Sequence, residues 1–179
     1  MAEKLRERTR KVLRNLRRNR GSCSRIFCMD NLDREILSAL QEDGRISVTE
    51  LASRVGLSLS ACHRRVRELE QSGVIEQYRA VVSPTAVGLT FEAIVFVTIS
   101  RTDPDTVGAF EEAVVAIPNV TEAERLFGDP DYMLRILTPS LAAYQELYDG
   151  PLGGLPGIQR MTSTLVMKRL GAGAGVPLG

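Results

Sequence analysis

The 179-residue chain lacks several features that would point directly to a function. It has no apolar run near the roughly 20 residues that a bilayer-spanning helix requires, so no membrane partner is expected. Its basic N-terminus has no apolar segment behind it and does not read as a secretory signal. Cysteine is sparse: Cys23, Cys28 and Cys62 are odd in number and follow no framework spacing, which argues against a disulfide scaffold. A reducing, cytoplasmic setting is the expectation. A single histidine, His63, next to Cys62 falls short of the ligand count of a zinc site. The same scarcity disfavours catalysis, because Ser140 has no nearby base and no phosphate-cradling loop is present. No catalytic residue, metal or cofactor is therefore expected.

Net charge is also nearly absent, with 23 Lys+Arg against 22 Asp+Glu. Its distribution is uneven. Residues 1–29 hold ten basic side chains against Glu3 and Glu7, residues 30–83 hold seven arginines against nine acids, and residues 84–179 hold six basic residues against eleven acids. The chain reads as a basic arm joined to two mildly acidic parts, and a clustered basic surface matters for nucleic-acid contact even when the total is neutral. With 44% hydrophobic and 25% charged residues, the composition is that of a folded globular protein.

Residues 1–29 form a basic helix candidate with a thin apolar stripe (Leu5, Val12, Leu13, Leu16), ended by Gly21. Three readings of this extension stand open: an arm that touches phosphates, a helix that docks on a partner subunit, or an upstream start before a natural beginning at Met29. From Asn31 the pattern changes. Leu32, Ile36, Leu37 and Leu40 recur at helical spacing behind a cap at Asp30 or Asn31, and Gly44 stops the run. Ser47 then caps a second helix with Glu50 three residues on. The turn "RVGLS" follows, and Ser58 caps a third helix that ends at Gly73. "VIEQYRAVVS" (74–83) alternates as a strand would.

The second half has another grammar. "FEAIVFVTIS" (91–100) reads as a buried strand, and "DPDTVGAFEEAVVAIP" (103–118) as a helix with Val107, Phe110, Val114 and Ile117 inward. "VTEAERLFG" and "YMLRILTP" are strands flanking the turn Gly128–Asp131. Residues 140–150 form a helix from Ser140 to Gly150, and "IQRMTSTLVMKRL" a last strand. The order β-α-β-β-α-β is the split, ferredoxin-like arrangement.

Three short helices with a glycine-containing turn make a helix-turn-helix, whose last helix enters the major groove of double-stranded DNA. Projected at 100° per residue, the third helix turns Leu59, Cys62, Val66 and Leu69 inward. Ser60, Arg64 and Arg67 fall on the opposite face, with Ala61, His63 and Arg65 on its flanks. Small residues let such a helix sit deep, and arginine can fork onto guanine or clamp a phosphate. With the caps Ser47 and Ser58, these residues are the candidate DNA-contacting set. Arginines paired with Glu68 and Glu70 on a solvated face would be the plain alternative; the capped helix and turn ahead of them favour DNA.

At this point the residues resemble a known family. "DGR" (43–45), "ELASRVGLS" (50–58), "RVRELEQSGVI" (65–75) and "YRAVVSP" (78–84) match, in order and spacing, the DNA-binding half of the Lrp/AsnC, or feast/famine, regulators. "GDPDYML" (128–134) and "LPGI" (155–158) resemble that family's effector-sensing half. The resemblance covers about residues 30–170, and Pro130 departs from the aromatic or apolar residue usual in that loop. It implies an α+β protein: an N-terminal winged helix-turn-helix (30–83), a linker (84–90), and a ferredoxin-like βαββαβ effector domain (91–170). The basic extension (1–29) and the tail "GAGAGVPLG" (171–179), which reads as mobile, lie outside the resemblance. It further implies a homodimer with strands paired between subunits, assembling to an octamer, and an amino-acid effector bound between dimers. The effector positions carried over are Gly128, Asp129, Asp131 and Tyr132 in the loop, with Leu141, Thr164 and Leu165 on facing elements. Asp131 is expected to accept from the effector's ammonium, and backbone N–H groups near Gly128 to meet its carboxylate.

The expected function is a sequence-specific transcriptional regulator of amino-acid metabolism genes. The rival classes are a small-molecule-binding or enzymatic ferredoxin-like protein without DNA readout, and a redox sensor using Cys23 and Cys28.

Overall fold

The computed structural model describes residues 29–170 and 175–178. The basic extension, Cys23 and Cys28 lie outside the described residues, as does most of the C-terminal tail. Two compact units are present. Of the described residues, 29–81, 170 and 175–178 belong to one, and Val82–Arg169 to the other.

The first unit is built from three helices, α1 (Asn31–Glu42), α2 (Val48–Arg54) and α3 (Leu59–Ser72). Each begins on a side-chain cap that satisfies an orphan backbone N–H. Asp30 Oδ1 accepts from Asp33 N (2.9 Å) while Asp33 Oδ2 accepts from Asp30 N (3.3 Å), a reciprocal box at the start of α1. Ser47 Oγ accepts from Glu50 N (3.1 Å), and Ser58 Oγ from Ala61 N (3.3 Å). Helix α3 stops because Gly73 takes a left-handed conformation, φ 80°, and Ile75 N–H reaches back to the Leu69 carbonyl (3.1 Å). The helices close on Ile36, Leu37, Ala39, Leu51, Ala52, Val55, Cys62 and Leu69. Cys62 is a wholly buried core residue, and burial pushes its thiol's pKa up.

Three expectations need correction in this unit. Leu59 is 54% exposed rather than inward. It is the first residue of α3, and side chains lean toward a helix's N-terminus, so it overhangs the end of the core. Residues 76–83 form no strand, and Val81 and Val82 are exposed. Alternation alone does not make a strand: a ladder needs a partner's N–H and C=O groups, and among the described residues this segment finds none. The tail is not wholly loose either. Arg34 donates to the Leu178 carbonyl and Gln41 Nε2 to that of Val176, while Leu178 packs on the helical core.

The second unit runs β1 (Phe91–Ile99), α4 (Pro104–Val115), β2 (Val120–Arg125), β3 (Tyr132–Thr138), α5 (Leu141–Leu147) and β4 (Ile158–Leu165), in the order expected. The sheet order is β2-β3-β1-β4 with every neighbouring pair antiparallel. Asp103 caps α4 ahead of Pro104, which suits the first helical position because it lacks an N–H. Helix α5 gives up its regular hydrogen bonding at Leu147 and widens into a π turn, Tyr148–Leu152, that holds Pro151.

Strand alternation divides the sheet into two faces. Ala93, Val95, Val97 and Ile99 of β1, with Tyr132, Leu134 and Ile136 of β3, meet Val107, Phe110 and Val114 of α4 and Tyr144 and Leu147 of α5. Phe110 and Tyr132 stack at 4.6 Å between ring centres. The opposite face carries Ile94, Phe96 and Met133, all partly exposed, around an ion-pair ladder. Arg135 bridges Glu92 (2.6 Å) and Glu122 (2.7 Å), and Arg169 also reaches Glu92 (2.9 Å). Burial would raise the Glu92 pKa, but the two guanidiniums outweigh it and hold the carboxyl below its usual 4.5.

The "LPGI" glycine has a geometric reason. Gly157 sits at φ +75°, and a Cβ there would lie 2.6 Å from Thr106 Cγ2. Gly157→Ala should destabilise the protein by about 1–3 kcal/mol in urea unfolding. Gly108, inside α4, is the contrast: a Cβ added there would meet no atom within 4 Å. Gly108→Ala should stabilise by about 0.5–1 kcal/mol, because alanine loses less backbone entropy in a helix.

Candidate functional sites

Helix α3 carries the first site. Its inward stripe is short, with Cys62 and Leu69 buried and Val66 partly so. Ser60, His63, Arg64 and Arg67 are exposed and follow one another at three- and four-residue spacing, which is one stripe of a helix. Ala61 is partly covered beside them. Ser58 Oγ lies 3.3 Å from Ser60 Oγ while it caps the helix. His63 and Arg67 line a shallow groove of about 340 Å³ with Val48, Val66 and Glu70. Arg64 is 63% exposed and, among the described residues, meets only Glu68, one turn on, at 2.8 Å. Such an exposed pair contributes about 0–1 kcal/mol, so the guanidinium is free to exchange partners. Ser47 stands apart, at the start of α2, where it serves as a cap.

Arg65 departs from the expected set. Only 20% of its side chain is exposed, and its guanidinium is bound to Asp30 (2.8 Å) and Asp33 (2.8 Å) at the start of α1. A charge run on a projected helix shows where a cation starts but not which carboxylate reaches it first. "DNLD" is legible only as a cap; that its two acids share one arginine is not.

The second site lies in the αβ unit, and the residues that the resemblance implies fall into two groups. Gly128, φ 140°, and Asp129 head the loop before β3. Asp129 meets Thr98 Oγ1 (3.2 Å) and Arg160 Nη2 (3.2 Å). Asp131 N donates to the Val97 carbonyl (3.0 Å), and Asp131 Oδ2 accepts from Ile99 N (2.8 Å). One Asp131 oxygen is thus taken by backbone, and among the described residues the other is an unshared acceptor. Arg160, which no motif marks out, stands at this loop as its cation.

Tyr132 points elsewhere. It follows Asp131 on a strand, so it faces the helices; its ring is 2% exposed and its hydroxyl donates to Glu111 (3.0 Å). Burial, then the Glu111 contact, pushes its pKa up to about 12. The tyrosine is a core residue under the loop.

The remaining group lies at the other end of the sheet. Thr164 pairs with Ile94 and Leu165 with Ala93, whereas Arg160, beside Asp129, pairs with Thr98. Five steps along the strand separate Ala93 from Thr98, roughly 17 Å at strand rise. Leu165 and Leu141 are each more than half exposed and flank the Tyr144–Ser163 contact between α5 and β4. One chain therefore does not bring Gly128–Asp131 together with Leu141, Thr164 and Leu165.

Residues 29–76 match the family described as winged helix-turn-helix DNA-binding, and residues 92–175 the Lrp/AsnC ligand binding domain. The leucine-responsive regulatory proteins of Klebsiella pneumoniae and of Escherichia coli K12 are each 38% identical over 142 residues, covering 79% of this chain and 87% of theirs. A transcriptional regulator of Neisseria meningitidis, solved as an L-Met complex, is 35% identical with a TM-score of 0.79, over 84% of this chain and 97% of that one. Escherichia coli AsnC superposes with a TM-score of 0.70 at 26% identity, over 80% and 95% of the two chains.

The caps and the exposed arginine should separate in unfolding experiments. Ser58→Ala should cost about 1 kcal/mol by leaving the first turn of α3 uncapped. Arg64→Ala should change stability by less than about 0.5 kcal/mol, so its effect on any ligand can be read on a fully folded protein.

Proposed function

The chain belongs to the Lrp/AsnC family of DNA-binding, ligand-modulated transcription regulators, and from that premise we propose that it reads DNA through the exposed face of α3 and answers to an amino acid. The observation that carries the DNA reading is the stripe Ser60, His63, Arg64 and Arg67, held outward by a helix capped at Ser58 and stopped at Gly73. Arg64 and Arg67 supply guanidiniums for base edges and phosphates, and Ser58, Ser60 and Ala61 allow close approach at the helix's first turn. Ser47 caps the preceding helix and approaches the backbone from its N-terminal end, where N–H groups favour a phosphate.

The effector is assigned to the loop Gly128–Asp131 of one chain, with Leu141, Thr164 and Leu165 supplied by another. Their separation on a single chain supports this division. The free oxygen of Asp131 accepts from the ammonium, and the loop's N–H groups meet the carboxylate; each charge-assisted bond contributes roughly 1.5–3 kcal/mol. The chain works as a homodimer that assembles to an octamer. The partly exposed apolar face of the sheet and the unpaired residues 76–83 both offer surface for a second copy. Effector binding shifts the dimer–dimer arrangement and with it the number of DNA half-sites held at once. The target genes belong to amino-acid metabolism. The reading is that of a regulator and not an enzyme: the family is one of DNA-binding regulators, and the chain's one histidine lies on α3. A DNA-binding regulator works where the DNA is, so the cytoplasm is its proposed setting; separately, no helix among the described residues is long and apolar enough to cross a membrane.

Gel shifts on a duplex from upstream of the protein's own gene test the DNA reading. Affinity should fall steeply with salt as counterions are released, and Arg64→Ala should weaken the specific complex by about 1–3 kcal/mol, the worth of one bidentate base contact. A flat salt response, or an unchanged Arg64→Ala complex, contradicts it. A thermal-shift screen of the common amino acids tests the effector: at a hundredfold excess over Kd the true ligand adds about 2.7 kcal/mol of stability. Asp131→Asn should abolish that shift, and silence across the panel refutes the sensing role.

A further inference from the structure

Within the arginine run of α3, one guanidinium is held by the fold itself. Arg65 Nη1 lies 2.8 Å from Asp33 Oδ1, and Arg65 Nη2 lies 2.8 Å from Asp30 Oδ2. The remaining oxygens of the same two carboxylates are the ones that close the capping box, Asp30 Oδ1 on Asp33 N and Asp33 Oδ2 on Asp30 N. All four carboxylate oxygens are therefore assigned, two to the start of α1 and two to the side of α3. Asp33 is 4% exposed, so the box is a closed ring at the junction of the two helices.

We propose that Arg65 is a positioning residue for DNA recognition: its fork across Asp30 and Asp33 fixes the rotation of α3 against α1, and so the direction in which Ser60, Arg64 and Arg67 leave the protein. This rests on the DNA reading of α3 given above. Elsewhere these two helices meet through small and aliphatic groups such as Ile36, Cys62 and Leu69, which resist separation but define rotation poorly. A planar guanidinium on two separate carboxylates has one geometry that satisfies both. Were Arg65 to swing out to a phosphate, it would strand two neighbouring carboxylates, one of them buried, and a buried unpaired charge is costly. The run Arg64-Arg65-Val66-Arg67 is thus divided: two arginines face outward and the one between them sets their aim.

The two roles open to Arg65 predict opposite outcomes. A phosphate contact tolerates lysine, gives up about one unit of salt slope when removed, and gains from losing a nearby acid. A positioning fork does not tolerate lysine, keeps its salt slope when the arginine is changed, and loses discrimination when either acid is removed. The test measures affinity for the upstream duplex and for a shuffled duplex of equal length, across a salt series, using full-length protein at a temperature where circular dichroism shows each variant folded. Arg65→Lys and Asp33→Asn should each lower the specific-to-shuffled ratio about tenfold, roughly one misplaced base contact, with shuffled-duplex affinity and salt slope unchanged. Asp30→Asn guards against loss of folding, because asparagine caps a helix as well as aspartate and the Asp30 side chain is 49% exposed; it should lower the ratio in the same direction. Wild-type discrimination by Arg65→Lys, tighter binding by Asp33→Asn or Asp30→Asn, or a shallower salt slope on changing Arg65 would overturn the proposal. If the wild type itself shows no preference for the upstream duplex, the DNA reading fails first and this assignment falls with it.

Discussion

Helix α3 has to satisfy two surroundings at once, and the rest of the protein depends on how it does so. One side contributes Cys62 and Leu69 to a small core made with α1 and α2. The other leaves Ser60, His63, Arg64 and Arg67 in water. A fourteen-residue helix with two buried positions has little apolar area with which to hold its place, so polar contacts take a larger share. Ser58 defines where it begins, Gly73 where it ends, and the Asp30–Arg65–Asp33 ring how it is turned. A recognition surface requires that definition, because a side chain reads a base edge only from a narrow range of positions.

Much of this is legible in the amino-acid order, because the features concerned are local. Caps at Asp30, Ser47, Ser58 and Asp103 depend on a side chain and an N–H three residues away, and all four sit where the spacing places them. The βαββαβ order follows from runs whose period is intrinsic to each element. What escapes depends on contacts distant in sequence. Arg65 groups with its neighbours on the projected helix because nothing in "CHRRVRE" reveals acids more than thirty residues upstream. Tyr132 falls within the loop motif because the resemblance carries a motif, not the side of the sheet on which each of its members lies. Residues 74–83 alternate as a strand does, yet a strand is a relation between two segments.

The αβ unit shows the same division between what one chain completes and what it leaves open. Its helix-facing core is closed, down to the Tyr132 hydroxyl on Glu111. Its opposite face is only partly so: the Glu92–Arg135–Glu122 ladder satisfies its charges while Ile94, Phe96 and Met133 keep contact with solvent. The loop Gly128–Asp131 and the group Leu141, Thr164 and Leu165 lie at opposite ends of that sheet. On the proposed reading, a sensor assembled from such halves would be complete only when copies associate, tying ligand occupancy to assembly and assembly to the spacing of the α3 helices on DNA.

His63 makes the central claim open to a direct measurement, since it is the chain's one histidine and lies exposed on the α3 stripe. Diethyl pyrocarbonate modifies imidazole as well as amines, so peptide mass spectrometry that follows His63 alone reports a single position. If α3 enters DNA as described, saturating upstream duplex should slow modification of His63 several-fold and release it again at high salt. An unchanged rate, with the duplex shown to be bound, would place the nucleic acid on another surface and contradict the account.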